Sequence, residues 1–418
     1  MDKIRIITVL CILGLASLAL SGCTTFNNFK EAFIDKPSSQ SQTISIGVYE
    51  PMNGEDKEGA KAELAGIELA HEMMPEADGL EVNLIYADNS SDIAAAETAI
   101  NTLLAKEPEV VLGSYGSIYS LVAGEYVAEA ETPAIAITNT NPLVTRNNSY
   151  YFRVCYIDAT QGRLLAQYLD STGEKKTGVL LPEKDDAATA MTTAFVDEFK
   201  KLTEDDDAIT YYEKYTTGDT DFTEHLKALK KSKVKSVLLP GEYTDAANII
   251  KQASEMGLDV TFLGTMKWGG SDFLKAITTD ENGEPTYIVD SEKLAFVQFF
   301  AAKGGKDTAT ISKTRKAFLD AYHQKYGQSE EPDEAVALGF DAYGIAIDAV
   351  LRASKETGEE LPSGEAIRDV LMSDGYEFDG ASGVIRFNKR GDPKKTAYIS
   401  TWAKGTIKAI YTIDADQQ

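Results

Sequence analysis

From Thr43 onward the chain mixes two patterns: short continuous apolar runs, and longer stretches with apolar positions three or four residues apart. Residues 44–49 are a run of the first kind and predict a strand; 60–74 are of the second, a helix with Leu64, Ile67 and Met74 on one face. Strands at 80–86, 110–112 and 134–137 follow, separated by the alanine-rich helix 93–104 and the helix 118–130. The pattern restarts at Thr177, with strands at 178–181, 209–212, 234–239 and 260–263 and helices at 188–202, 222–231 and 244–256. Beyond Lys293 it predicts a strand over 294–300, helices over 312–326 and 334–354, and a return to strands at 384–387, 397–402 and 407–412. Apolar strands alternating with helices imply an α/β fold with parallel, doubly wound sheets, and the restart implies two such lobes facing each other.

The N-terminus reads differently. Lys3 and Arg5 precede a mostly apolar run over 6–20, too short for a comfortable membrane span but suited to a signal-peptide core. It closes on Leu20-Ser21-Gly22-Cys23, which resembles a bacterial lipoprotein signal. That resemblance implies cleavage before Cys23 and a diacylglyceryl group on its thiol, making 1–22 a lipoprotein signal peptide; an ordinary signal peptide and a short uncleaved anchor are the alternatives. Residues 23–42 become polar, with Pro37, Ser38, Ser39 and Ser41 clustered, and read as a flexible tether. Several acyl chains on Cys23 would hold the protein outside the cytoplasmic membrane.

Charge narrows the partners. Lys and Arg number 41 against 66 Asp and Glu, a formal net charge of -25, so the field repels nucleic acid and anionic headgroups. With Cys11 lost with the signal and Cys23 acylated, Cys155 is left alone in an apolar stretch, a buried inert thiol rather than a nucleophile. His71, His225 and His323 fall on unrelated helices without metal spacing. Gly113-Ser114-Tyr115-Gly116-Ser117 superficially has the look of a nucleophile elbow, but its serines stand in the wrong places. Pairs such as Asp185-Asp186 read as solvated loop charges, and no acidic run has EF-hand spacing. No enzyme activity, cofactor or metal is expected.

Several segments together resemble one family, the type I periplasmic-type solute-binding proteins of ABC importers, close to the branched-chain amino-acid and amide binding group. They are Gly113-Ser114-Tyr115-Gly116-Ser117, Thr138-Asn139-Thr140-Asn141-Pro142, Arg153 with Asp158 and Gln161-Gly162, Asp219-Thr220-Asp221-Phe222, Gly339-Phe340-Asp341-Ala342-Tyr343, and Phe387 with Gly391-Asp392-Pro393. The first two follow predicted strands of lobe one, where ligands of open α/β sheets bind. Ser117 stands as the N-cap of the helix beginning at Ile118, with a hydroxyl and free N–H groups suited to a carboxylate. The resemblance implies that Ser117 and Thr140 hold a ligand carboxylate, that the Thr138 carbonyl accepts from its ammonium, and that Tyr115 and Tyr243 line the cleft. The bland alternative is that Ser117 only caps its helix and the threonines form a local turn.

Lobe two departs from the family pattern. Where relatives place an aromatic residue after its first strand, this chain has Glu183-Lys184-Asp185-Asp186-Ala187. Where amino-acid binders place an acid after the fourth strand, it has Gly264-Thr265-Met266-Lys267-Trp268. Lysine cannot neutralise an ammonium, so either Asp186 or Glu242 supplies the charge, or the ligand lacks an ammonium, or Lys267 points to solvent.

These readings lead to a lipid-anchored extracytoplasmic binding protein with lobe one over 43–156 plus 300–394 and lobe two over 157–293 plus 398–418. Crossovers are expected near 156–158, 293–300 and 394–398. It is expected to act as a monomer, to capture an amino acid or a related carboxylate or amide, and to hand it to an ABC permease. The alternative is a ligand-sensing lipoprotein that presents its closed form to a membrane receptor.

Overall fold

The computed structural model describes residues 42–279, 293–300 and 312–414. Residues 1–22, expected to be a lipoprotein signal, Cys23 and nearly all of the expected tether lie outside the described residues. From Thr43 the chain forms a compact unit with two large sheets.

The first sheet contains β1 (Thr43–Glu50), β2 (Glu76–Ala77), β3 (Leu80–Asp88), β4 (Val110–Gly113), β5 (Ala134–Ala136) and β6 (Tyr151–Arg153), in the order β2-β3-β1-β4-β5-β6. All its pairings are parallel except the short β2-β3 hairpin. Its helices include α1 (Lys57–Met73), α2 (Ile93–Leu104) and α3 (Ser117–Glu129). Strand β1 has β3 on one side and β4 on the other, so the winding reverses there and opens a crevice at the carboxyl ends of β1 and β4.

After β6 the chain crosses into α4 (Asp158–Ser171) and builds the second sheet from β7 (Thr177–Pro182), β8 (Ile209–Tyr215), β9 (Ser236–Leu238), β10 (Thr261–Gly264) and β11 (Leu294–Gln298). Helices α5 (Asp186–Thr203), α6 (Thr223–Ser232), α7 (Tyr243–Glu255) and α8 (Ser271–Thr278) intervene. With β15 (Ala397–Ala403) and β16 (Thr406–Ile413) from the end of the chain, the sheet order is β16-β15-β11-β10-β9-β7-β8, with the reversal at β7 and β9.

The remaining elements return to lobe one: α9 (Lys313–Tyr326), α10 (Glu334–Thr357), α11 (Gly364–Met372) and a small sheet of β12 (Phe378–Gly380), β13 (Gly383–Phe387) and β14 (Pro393–Lys394). Then β15 and β16 complete the second sheet. The lobes are doubly wound and mostly parallel, as expected; at this edge β15 and β16 pair antiparallel with each other and β15 antiparallel with β11. The physical reason is the two-residue turn Lys404-Gly405, both at positive φ, which folds the chain straight back.

Local chemistry explains the helix packing. A Cβ on Gly66 of α1 would lie 2.1 Å from the Val336 carbonyl of α10, and one on Gly162 of α4 would lie 2.2 Å from the Met191 carbonyl of α5. Each lobe thus brings two helices to backbone contact through a residue without a side chain. Met74, placed on the buried face of α1 by spacing, instead follows the last helical residue and is 36% exposed.

The crossovers are tied together by buried polar groups. The Tyr156 hydroxyl accepts from the Lys395 N–H at 2.9 Å and donates to the Lys395 carbonyl. Glu334 Oε2 accepts the Phe299 N–H at 2.5 Å, and the Tyr156 and Phe299 rings meet edge to face at 5.0 Å. Lys395 Nζ, fully buried, donates to Ser382 Oγ, which in turn donates to Asp341.

Candidate functional site

The candidate residues of each lobe follow the carboxyl ends of strands at or beside its switch point. In lobe one the turn after β4 requires glycine twice, at Gly113 (φ +107) and Gly116 (φ +84). Its Ser114 is buried: Asn89 Nδ2 donates to its Oγ at 2.8 Å, and Asn139 Nδ2 donates to its carbonyl at 2.9 Å, which links this turn to the loop after β5. Tyr115 then donates its N–H to Glu50 Oε2 at 2.6 Å, and its ring lies over Gly59, where a Cβ would be 2.2 Å from it.

Ser117 is not the N-cap. Gly116 occupies that position and Ser117 is the first residue of α3, because the left-handed φ of Gly116 is what turns the chain into the helix. No side chain caps α3, so the end of the helix that faces the crevice is open to a hydrogen-bond acceptor.

The loop after β5 is held from below. Thr138 donates its hydroxyl and its N–H to Glu63, while the Thr140 hydroxyl reaches Asp158 and the Thr140 carbonyl accepts the Asp158 N–H at 3.3 Å. Arg153, with no exposed surface, donates to the carbonyls of Asn139 (2.6 Å) and Asn141 (2.9 Å) and to Thr145 Oγ1 (2.9 Å). Its Nε lies 2.9 Å from Asp392 Oδ1, close enough for an ion pair although not aligned as a hydrogen bond. The Cys155 thiol is buried, as expected, and donates to the Asn139 carbonyl.

Asp158 stands at the first crossover between the lobes and retains only 8% of its surface. Burial raises its pKa, opposed by the Thr140 hydrogen bond and by the positive charge of Lys267; Asp185 pushes it up again and Arg153 draws it down. The residues that act on it therefore come from both lobes. Tyr115 reports the same convergence. Its phenol is pushed up to about 12, first by burial and then by the charges of Glu63, Asp56 and, from lobe two, Glu242, with the Tyr243 phenol adding to them.

The second-lobe candidates are distributed unevenly. Tyr243 is half-buried at the first turn of α7. Lys267 lies in a single 3-10 turn, Met266–Gly269, and its Nζ is 2.6 Å from Glu242 Oε1, with both side chains about half exposed. Its neighbour Trp268 is fully buried and stacks on Phe273 at 4.8 Å, which anchors the turn. Asp186 is exposed; Asp185 caps α5, accepting from Ala188 N at 2.8 Å, and is the acid of that loop that acts on Asp158.

Sequence reading passed over three buried acids, Asp158 as a site residue and Glu50 and Glu63 altogether. The signal was present: Glu63 stands four residues before Ile67 on the apolar face of α1, and Glu50 ends an apolar strand.

Comparison with known proteins decides the family. The periplasmic binding protein model matches residues 43–406. The chain belongs to that family. It is therefore a solute-binding protein of the kind that serves ABC importers, and not an enzyme. The leucine-, isoleucine-, valine-, threonine- and alanine-binding protein of Pseudomonas aeruginosa is 24% identical over 377 residues, 89% of this chain and 93% of that protein. Among solved structures, the leucine binding protein LivK of Thermotoga maritima superposes with a TM-score of 0.73 at 25% identity, covering 90% of this chain and 100% of that one. LivJ of Streptococcus pneumoniae, in complex with isoleucine, gives a TM-score of 0.71 at 26% identity, covering 89% and 99%. A solute binding protein of an ABC transporter from R. palustris, in complex with benzoate, shares the fold at 16% identity, with a TM-score of 0.68 over 89% and 96% of the two chains.

Proposed function

We propose that this periplasmic binding protein is a lipid-anchored monomer that captures an amino acid or a close carboxylate or amide analogue between its lobes and delivers it to an ABC permease. Lobe one runs over 43–156 plus 300–394 and lobe two over 157–293 plus 398–418. The observation that carries the reading is Asp158, a nearly buried carboxylate where the lobes join, beside Thr140 and within the field of Lys267 and Asp185. With Glu242 engaged by Lys267, Asp158 is the acid best placed to meet a ligand ammonium, and the departure in lobe two no longer argues against one. The open N-terminus of α3 at Ser117, together with Thr140, receives the ligand carboxylate, while Tyr115 and Tyr243 close over the side chain. A ligand that contacts both lobes stabilises the closed form, the state a permease accepts.

Calorimetry with leucine, isoleucine, valine, threonine, alanine and benzoate, each amino acid paired with its deaminated acid, tests this. Amino acids should bind, and Asp158→Asn should weaken them by roughly 1.5 to 3 kcal/mol, the worth of a hydrogen bond to a charged group, while leaving deaminated acids little affected. Equal binding of amino acids and deaminated acids, or an Asp158→Asn protein with unchanged affinity, refutes the role given to Asp158.

A further inference from the structure

Beneath the loops after β4 and β5 of lobe one lies a pair of acids with no cation to balance them among the described residues. Glu50, at the end of β1, and Glu63, on α1, have no exposed surface. Each holds a different loop: Glu50 Oε2 takes the Tyr115 N–H at 2.6 Å, and Glu63 takes the hydroxyl and N–H of Thr138. The two carboxyl groups are within hydrogen-bonding reach of each other, yet Glu50 Oε1 and Glu63 Oε2 have no donor. Two orphaned oxygens on adjacent buried carboxyls are both satisfied by a single proton, and two adjacent buried negative charges are not sustainable without one.

The surroundings offer no alternative. Tyr49 of β1, Tyr115 of the β4 turn, Tyr119 of α3 and Tyr151 of β6 face the pair or one another as phenols, each raised above its ordinary range by burial. Cys155, after β6, is a buried thiol raised in the same way. Arg153, the cation of β6, is committed to Asp392, Thr145 and two carbonyls. From α10, which packs on α1, Glu334 is turned to the Phe299 N–H and Asp341 to Ser382 and Ala381. Asp56 accepts the Tyr119 hydroxyl at 2.7 Å, and Asp158 is bound to Thr140. Burial also raises Glu63 to about 7 and Glu50 well above its ordinary value, and it raises Glu334, the nearby acid of α10, to about 8.

We propose that Glu50 and Glu63 share one proton at neutral pH, and that this proton fastens the Tyr115 and Thr138 loops to each other so that solute capture is lost as the pair becomes fully ionised. The effect on capture rests on the ligand-binding reading above; the shared proton does not. Both residues are positioning groups, since they act on the ligand through Tyr115 and Thr138.

The protein labelled with 13C at glutamate carboxyls tests the proton directly, by infrared or NMR titration without any ligand. In a Glu334→Gln background, which removes the other glutamate raised into this range, one protonated glutamate carboxyl is expected at pH 7, lost as the pH rises, and absent once Glu63→Gln is added, whose amide can donate to Glu50 in place of the proton. Glu50→Gln is the second variant should the first fail to fold, with the same expected loss, and in the unmodified protein two protonated glutamate carboxyls are expected at pH 7, one from the pair and one from Glu334. The second arm follows isoleucine binding by calorimetry. Affinity should fall by about tenfold per pH unit above the titration of the pair, as release of one proton requires, and Glu63→Gln should flatten that slope. A protonated-glutamate signal at pH 7 that Glu63→Gln leaves unchanged, or a binding slope unaltered by Glu63→Gln, overturns the proposal. If isoleucine and the other amino acids do not bind at all, the amino-acid reading fails while the carboxyl titration still decides the shared proton.

Discussion

Replacing Arg153 by methionine keeps a long unbranched side chain in the same slot but removes the charge and every donor. Arg153 is fully buried; its guanidinium meets Asp392 at 2.9 Å and supplies donors to Asn139 O, Asn141 O and Thr145 Oγ1. Breaking a buried pair by removing one partner costs about 3 to 5 kcal/mol, because the other charge remains without its counter-ion. Asp392 keeps only 18% of its side-chain surface, which moderates that penalty, while the two carbonyls stripped of donors restore it. We therefore expect a loss of about 3 to 5 kcal/mol, read in urea as a midpoint lowered by roughly 1 M or more at an unchanged slope. Asp392→Asn in the Arg153→Met background should cost less than it does alone, with a coupling of about 1 to 3 kcal/mol. Ligand affinity should fall as well, since Arg153 braces the backbone between Thr138 and Thr140 and helps hold Asp158 ionised. A loss below about 1 kcal/mol for Arg153→Met, or two substitutions that simply add, would refute the claim that this ion pair braces the site.

Two further outcomes follow from the buried acids and the N-terminus. Glu334 is raised to about 8 by burial, so its neutral form is favoured in the folded chain; stability should decline as pH rises from the ordinary glutamate range through about 8, and Glu334→Gln should reduce that decline in pH-dependent thermal melts. Cys23→Ser should abolish acylation and leave uncleaved precursor, as read by mass spectrometry of the membrane fraction; normal processing with an acyl group still attached would remove the anchor from the reading.

Much of the scaffold was legible because its causes are local. The helix 93–104 was expected with the bounds it has, since Asp92 caps it through Ala95 N and its apolar positions recur with helical period. Helix α4 escaped notice because Asp158, Gln161 and Gly162 dilute its apolar face, and all three are buried for reasons that lie elsewhere in the fold: the crossover, the Met266 N–H and the Met191 carbonyl. The antiparallel edge of the second sheet was likewise hidden, because strand direction depends on which sheet the chain re-enters after Lys394.

The charges of the site show why its chemistry was harder to read than its frame. Lys267 in place of an acid suggested a ligand without an ammonium, yet its nearest charged partner is Glu242, 25 residues away in sequence and at the start of another helix. That pair is about half exposed, so it contributes little to folding and is free to exchange partners when the cleft is occupied. Asp158 has the opposite character. It is nearly buried, fixed by Thr140 on one lobe and subject to charges on the other, so its ionisation depends on how the lobes are placed. A cation bound beside Asp158 relieves the cost of burying that charge, and it does so most in the closed form, where the surrounding water is least. If Asp158 receives the ligand ammonium as proposed, the residue that recognises the ligand also favours the closed state over the open one, and capture and closure become a single electrostatic event.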